Sequence, residues 1–230
     1  MAKQKSPYDL IDISWLTALG LVGAVLCGFL SETIFDASIF FSGILCVGLI
    51  AIGRREGYLF GLYNSISYAI LAYTNGLFGE VYLNILFFLP TGVIGYLMWV
   101  RHPSDNHAVR MRSLSGKGRT VIAVICMLSM FGLGKLLALN PGQNTPYVDA
   151  STNVLSILAT FLMMWRYKEQ WLLYILLNVL SVIMWFLRFQ AGGNSGDLMV
   201  LMWSLFLVNA MFGYWRWHVG ASADSPPIAA

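Results

Sequence analysis

The chain has 230 residues, 58% of them hydrophobic and only 11% charged, with a formal net charge of +3. A soluble domain is about 25% charged, so these numbers exclude a water-soluble globular protein. The basic residues are scattered over short loops, which excludes a nucleic-acid-binding stripe.

Spanning helices need runs of roughly 17–25 apolar residues. Runs occur at about 10–30, 37–53, 57–74, 80–100, 120–139, 148–166, 171–189 and 198–217. None alternates in the manner of barrel strands, so the expected class is an all-α integral membrane protein. The first run follows Lys3 and Lys5 and lacks a small-residue cleavage site, so it is expected to be retained. With Asp12 near its start it either crosses the membrane or lies in the interface. The three cysteines, Cys27, Cys46 and Cys126, all lie in apolar runs and are expected to be inert free thiols.

Turn signals separate the runs: "SETIFD", "GRREG", "TNGLFGE", "LNPGQNTP", "RYKEQ" and "QAGGNSGD". The longest polar loop, "RHPSDNHAVRMRSLSGKGR", spans 101–119, and the tail 218–230 is expected to be disordered. Arg54, Arg55, Arg101, Arg110, Arg112, Lys117, Arg119, Arg166, Lys168 and Arg216 fall in alternate loops or ends. Glu32, Asp36, Glu80, Asp149 and Asp197 fall on the other side, with Arg188 the main basic exception. The positive-inside rule puts the basic side, and with it the C-terminus, in the cytoplasm.

"GRREGYLFGLYNSISYAI" (53–70) parallels "RYKEQWLLYILLNVLSVI" (166–183), and "GYLMW" (95–99) parallels "GYWRW" (213–217). The pieces recur in the same order, which predicts an internal repeat. Residues 37–100 and 148–217 form two three-helix units. A linking helix within 101–147 restores the orientation after an odd number of crossings. The expected architecture is a parallel 3+1+3 repeat preceded by an N-terminal extension, 1–36. Transporters with such repeats bind substrate near the bilayer midplane.

Polar residues inside the runs give the candidate site. Trp171, Tyr174, Asn178, Ser181 and Trp185 recur at steps of three and four and share one helix face. Asp149, Asn153, Ser156 and Thr160 share another. Asn84, Phe88 and Thr91, Trp203, Phe206 and Asn209, and Asn64 with Tyr68 supply further amides and aromatics. Any one Asn serves equally well as helix glue, worth about 1 kcal/mol. The set, spread over several helices, points instead to a pathway. Trp99, Trp217 and Trp15 are expected in the interfacial belt.

Asn both donates and accepts, which suits amides and sugar hydroxyls. Aromatic faces stack on flat rings and attract cations. A neutral or weakly cationic ring bearing a sugar fits this lining. Enzyme chemistry is not expected: His102, His107 and His218 all lie in loops or ends, no H-E-x-x-H occurs, and "SGKGR" is not a phosphate loop. No cofactor and no metal are expected, and no carboxylate cluster suggests a driving ion.

"DASTNVLSILATFLMMWRYKEQWLLYILLNVLSVIMW" (149–185) and "LFLVNAMFGYWRW" (205–217) resemble the second half of the PnuC family of vitamin B3 transporters. The first-half segment from "GRREGYLF" to "GYLMW" is similar too, so the resemblance covers 37–217. The family signature is a tryptophan, a second aromatic three residues on, and Asn or Asp four later: here Trp171, Tyr174 and Asn178, with Tyr174 in place of the usual second tryptophan. The resemblance implies facilitated diffusion of nicotinamide riboside across the inner membrane and trapping by a cytoplasmic kinase. It also implies a fold like the SWEET sugar transporters with both repeats in one chain, and a homotrimer. Trp185 or Tyr174 is then expected to stack on the pyridinium and Asn178 to bond the carboxamide. Asn153, Thr160 and Asn84 are expected to take ribose hydroxyls. Another vitamin (thiamine first) or a sugar on the same fold, and a non-transporting assembly subunit, are the alternatives.

Overall fold

In lipid every backbone N–H and C=O must be bonded within the protein, and each apolar run is helical. A computed structural model of the chain describes residues 8–31, 33–74, 81–103, 109–139, 145–190 and 196–223. Its helices are α1 (Asp9–Leu30), α2 (Ile34–Ala51), α3 (Gly57–Thr74), α4 (Leu83–Val100), α5 (Gly116–Leu137), α6 (Pro146–Met164), α7 (Gln170–Gln190) and α8 (Gly196–Ala223). Among the described residues there is no sheet, only two isolated bridges. Six helices, α1, α2, α4, α5, α6 and α7, are long and apolar enough to cross a membrane. Helix α3 has 18 residues and carries more polar side chains, and α8 has 28 residues with a long apolar stretch of its own. Expectations for Lys3, Lys5, Glu32, Glu80, His107 and 224–230 lie outside the described residues.

Several helix ends differ from the apolar runs because caps, not hydropathy, set them. Helix α2 starts three residues early, where the Thr33 side chain accepts from the Asp36 N–H at 3.1 Å. Helix α5 starts in "GKGR", since the Ser115 hydroxyl accepts from Gly118 N–H at 3.2 Å. Helix α8 runs on to Ala223, into the segment expected to be a disordered tail, with Ala221 buried.

The chain divides into two compact units, Met1–Arg110 and Met111–Ala230. In the first, α1 packs on α2, α2 on α3 and α3 on α4. The α1–α2 pair is antiparallel along its length. The Cys27 thiol donates to the Ala37 carbonyl at one end. Gly23 faces Ile44 midway, and Gly48 faces Leu16 and Leu19 at the other end. Helix α4 is π-helical over Leu83–Phe88, where the Leu89 N–H reaches back to the Asn84 carbonyl. Pro90 follows, with no N–H to donate, and the wider turn absorbs the break. Gly92 and Gly95 are packing notches: an added Cβ would meet Leu62 at 2.9 Å and the Tyr58 ring at 2.5 Å.

In the second unit, α5 packs on α6, α6 on α7 and α7 on α8. Cys126, Val154, Leu155 and Leu177 form the apolar centre. Each unit seats an aromatic ring against a glycine one turn from a tryptophan. Tyr58 lies against Gly95 and meets Trp99 edge-on at 5.0 Å. Trp171 lies against Gly213 and meets Trp217 at 6.3 Å. Trp99 and Trp217 are therefore core residues, 1% and 0% exposed, rather than members of an interfacial belt. The glycine slot draws the neighbouring helix close enough to cover them.

The turns before α3 and α7 also share a backbone conformation. Gly53 has φ 74° and Arg166 φ 64°. The Gly53 carbonyl accepts from Val109 N–H, and the Arg166 carbonyl from Arg112 N–H, each at 2.8 Å.

Candidate functional site

The spacing of α7 places its polar and aromatic residues inward. Trp171, Asn178 and Ser181 are buried and Tyr174 and Trp185 half-buried, while Leu172, Leu176, Ile183 and Phe186 point outward. Among the described residues no hydrogen bond engages the Asn178 side chain. Its donor and acceptor are therefore not spent on holding helices together.

Helix α6 brings Thr160 to the same region. The Tyr174 hydroxyl lies 3.5 Å from Thr160 Oγ1 and 3.9 Å from Met163 Sδ. Thr160 itself donates to the Ser156 carbonyl at 2.8 Å. Trp171 leans on Tyr174, with ring centroids 5.9 Å apart. Its indole Nε1 is buried with no hydrogen-bond partner among the described residues, and the same holds for Trp203 Nε1. Asn153 donates to the Asp149 carbonyl one turn back at 2.8 Å, and its half-buried side chain keeps an acceptor oxygen. On α8, Trp203 meets Phe206 edge-on at 5.8 Å, and Asn209 is buried.

Asn64 and Asn84 belong to the other unit. The Asn64 amide donates to the Ile39 carbonyl at 2.6 Å and to Ser42 Oγ at 3.2 Å. It is thereby a tie between α3 and α2, helped by Gly43, where a Cβ would sit 3.3 Å from the amide nitrogen. Asn178, expected from the sequence to correspond to it, has no such tie among the described residues. Asn84 is buried on the π-helical turn of α4.

Sequence reasoning missed a polar hub at the end of the second unit. Glu169, 6% exposed, accepts from Ser113 Oγ (3.2 Å), Leu114 N–H (3.0 Å) and Arg119 Nε (3.0 Å). Lys168 Nζ meets His218 Nδ1 at 3.0 Å, and Arg112 lies 4.7 Å over the Tyr167 ring. Only the run of charges in "RYKEQ" hinted at this, and it reads equally as a solvated turn. Among the described residues no group of His, Cys, Asp and Glu could hold a metal ion.

A family model described as "Nicotinamide mononucleotide transporter" matches residues 33–219. The chain belongs to the PnuC family. It is 32% identical over 180 residues to the nicotinamide riboside transporter PnuC of Neisseria mucosa, covering 76% of this chain and 68% of that protein. It is 32% identical to the one from Haemophilus influenzae (76% and 75% covered) and 26% identical to the one from Escherichia coli (77% and 76%). A crystal structure of the vitamin B3 transporter PnuC superposes with TM-score 0.77 at 30% identity, over 94% of this chain and 93% of that one.

Proposed function

We propose that this protein is a membrane transporter that takes up nicotinamide riboside. Family membership carries this reading. Relatives of similar sequence bear that name over two thirds or more of their length. Membership in a family of transporters also agrees with the expectation that the chain is not an enzyme.

The inward face of α7 suits the substrate chemically. The Asn178 amide offers a donor and an acceptor to the carboxamide. Trp185 stacks on the cationic pyridinium, and Trp171 backs the site. Asn153 and Thr160 take ribose hydroxyls, with Trp203 and Asn209 closing the α8 side. Asn64 is left to hold α3 on α2 in the first unit. The family model's name specifies the mononucleotide, but α6 and α7 offer no basic residue between Pro146 and Leu187 except Arg166 and Lys168 in their connecting turn. An unpaired phosphate dianion within these spans would be costly, which favours the riboside.

The architecture that goes with this function is a parallel 3+1+3 repeat with α5 as the linking helix. The shared left-handed turns at Gly53 and Arg166 support it, as do the matching Tyr58–Gly95–Trp99 and Trp171–Gly213–Trp217 sets. The antiparallel packing of α1 along α2 supports a spanning first helix, giving eight crossings, with both termini on the cytoplasmic face by the charge pattern. Transport is facilitated diffusion by alternating access, with bending at the π-helical turn before Pro90, and phosphorylation by a cytoplasmic kinase traps the product. The reading places the protein in the inner membrane as a homotrimer, as the resemblance implies.

The test is calorimetric titration of the detergent-purified protein with nicotinamide riboside, its mononucleotide, thiamine and glucose. Riboside binding alone supports the proposal. Thiamine binding alone overturns the substrate, and no binding by any of the four favours an assembly subunit.

A further inference from the structure

We infer that the basic end of the second unit binds the phosphate of an anionic phospholipid, with the Arg112 guanidinium as its receptor. Residues 111–119, 165–170 and 214–223 meet at this end. Met111 lies against Gly220, Glu169 takes donors from Ser113, Leu114 and Arg119, and Lys168 reaches His218. Together these segments carry six cations, Arg112, Lys117, Arg119, Arg166, Lys168 and Arg216, against one carboxylate, Glu169. That carboxylate is already spent on Arg119 and the neighbouring donors. Orientation in a membrane asks only for positive charge at one end. It does not ask for a cation held in place, and Arg112 is held in place.

Its backbone is tied on both sides to the α6–α7 turn. The Arg112 N–H donates to the Arg166 carbonyl at 2.8 Å, and the Arg112 carbonyl accepts from Lys168 N–H at 2.9 Å. The guanidinium rests over the Tyr167 ring, 4.7 Å from its centroid. Among the described residues no hydrogen bond or ion pair engages it. A guanidinium over a ring keeps its N–H fork, which fits two oxygens of one phosphate. Arg112 is exposed, so the fork is open to a ligand. The surroundings favour a lipid over a free phosphate. The turn joins α6 and α7, each long and apolar enough to cross a membrane, so Arg112 stands at headgroup level. Trp165 beside the turn is 46% exposed, and Leu172 on α7 and Trp215 on α8 are exposed too. They give acyl chains an apolar surface at the same level. Basic sites between spanning helices at such a face hold anionic headgroups.

The experiment measures lipid binding to the full-length protein by native mass spectrometry in a neutral detergent, for wild type, R112Q and R112K. Phosphatidylglycerol, phosphatidylcholine with the same acyl chains, and glycerol phosphate are titrated separately. Thermal unfolding without lipid checks the fold, which both variants should keep because residue 112 is tied to the turn by backbone bonds. Wild type is expected to bind phosphatidylglycerol about tenfold or more tighter than phosphatidylcholine, the scale of one hydrogen bond to a charged group. In R112Q the ratio falls to about one to three. R112K keeps the charge but loses the fork, and its ratio falls by about twofold or more. A folded R112Q that keeps the wild-type ratio overturns the site. An R112K ratio equal to wild type overturns Arg112 as receptor and leaves only the general attraction of a basic face. Glycerol phosphate that binds as tightly as phosphatidylglycerol overturns the lipid as ligand. None of these outcomes bears on riboside transport, which is read by its own titration.

Discussion

Substituting Gly213 by alanine tests the slot that seats Trp171. An added Cβ would stand 2.7 Å from two carbons of the indole and 2.8 Å from a third. Separations under about 3 Å lie well inside the 3.5–4.0 Å optimum for carbon pairs. The ring is rigid, 3% exposed, and backed by Trp217, so it cannot swing aside. Overpacking of this kind costs about 1–3 kcal/mol, and the rigid neighbour puts this case at about 2–3. Alanine also favours a helix over glycine by about 1 kcal/mol, which would mask part of the loss. Gly132→Ala in α5 supplies the correction, since nothing lies within 4 Å of its added Cβ. It carries the helix gain alone. Thermal unfolding of both variants in the same detergent should find G132A at or above wild type and G213A below G132A by roughly 4–12 °C, taking about 2–4 °C per kcal/mol for a chain of this size. Equal unfolding temperatures would show that α7 and α8 part easily, and the slot argument would be wrong.

Other outcomes follow from the same geometry. Asn178→Leu should abolish detectable riboside binding by calorimetry while raising the unfolding temperature, because it replaces an amide with no partner among the described residues by an apolar group. Asn64→Leu should do the reverse, lowering stability by about 1 kcal/mol through loss of its ties to Ile39 and Ser42 and leaving riboside affinity near wild type. Glu169→Ala removes one acceptor from three donors. It should cost about 1–3 kcal/mol in denaturant unfolding, the lower part of the range being expected because Arg119 is half exposed. Ser115→Ala removes the α5 cap and should cost about 1 kcal/mol.

The helices were legible because each apolar run left the backbone no other way to bond. The inward face of α7 was legible because Trp171, Tyr174, Asn178, Ser181 and Trp185 follow helical spacing. What escaped depended on partners distant in sequence. Nothing in the α3 run says that Asn64 will find the Ile39 carbonyl, so glue and ligand contact looked alike until the partner was in view. Trp99 and Trp217 looked like belt residues because their covers, Tyr58 and Trp171, belong to other helices. The π-helical turn was not expected, although Pro90 marked where it would be needed. Glu169 reads as one charge among several in a turn, and its three donors come from more than 50 positions upstream or close to it.

The slot at Gly213 also works as a ruler. Along this face of α8 the residues one turn from the glycine are Ala210 and Trp217, both of which carry a Cβ. A slide of α7 along α8 by a turn, about 5.4 Å, takes Trp171 off its glycine and onto a side chain. The pair is thus keyed like a bolt in a notch: free to tilt as one piece, unable to ratchet. Whatever opens and closes the pathway leaves the α7–α8 register untouched, and a disulfide stapling these two helices along their contact should be tolerated by a transporter that still works.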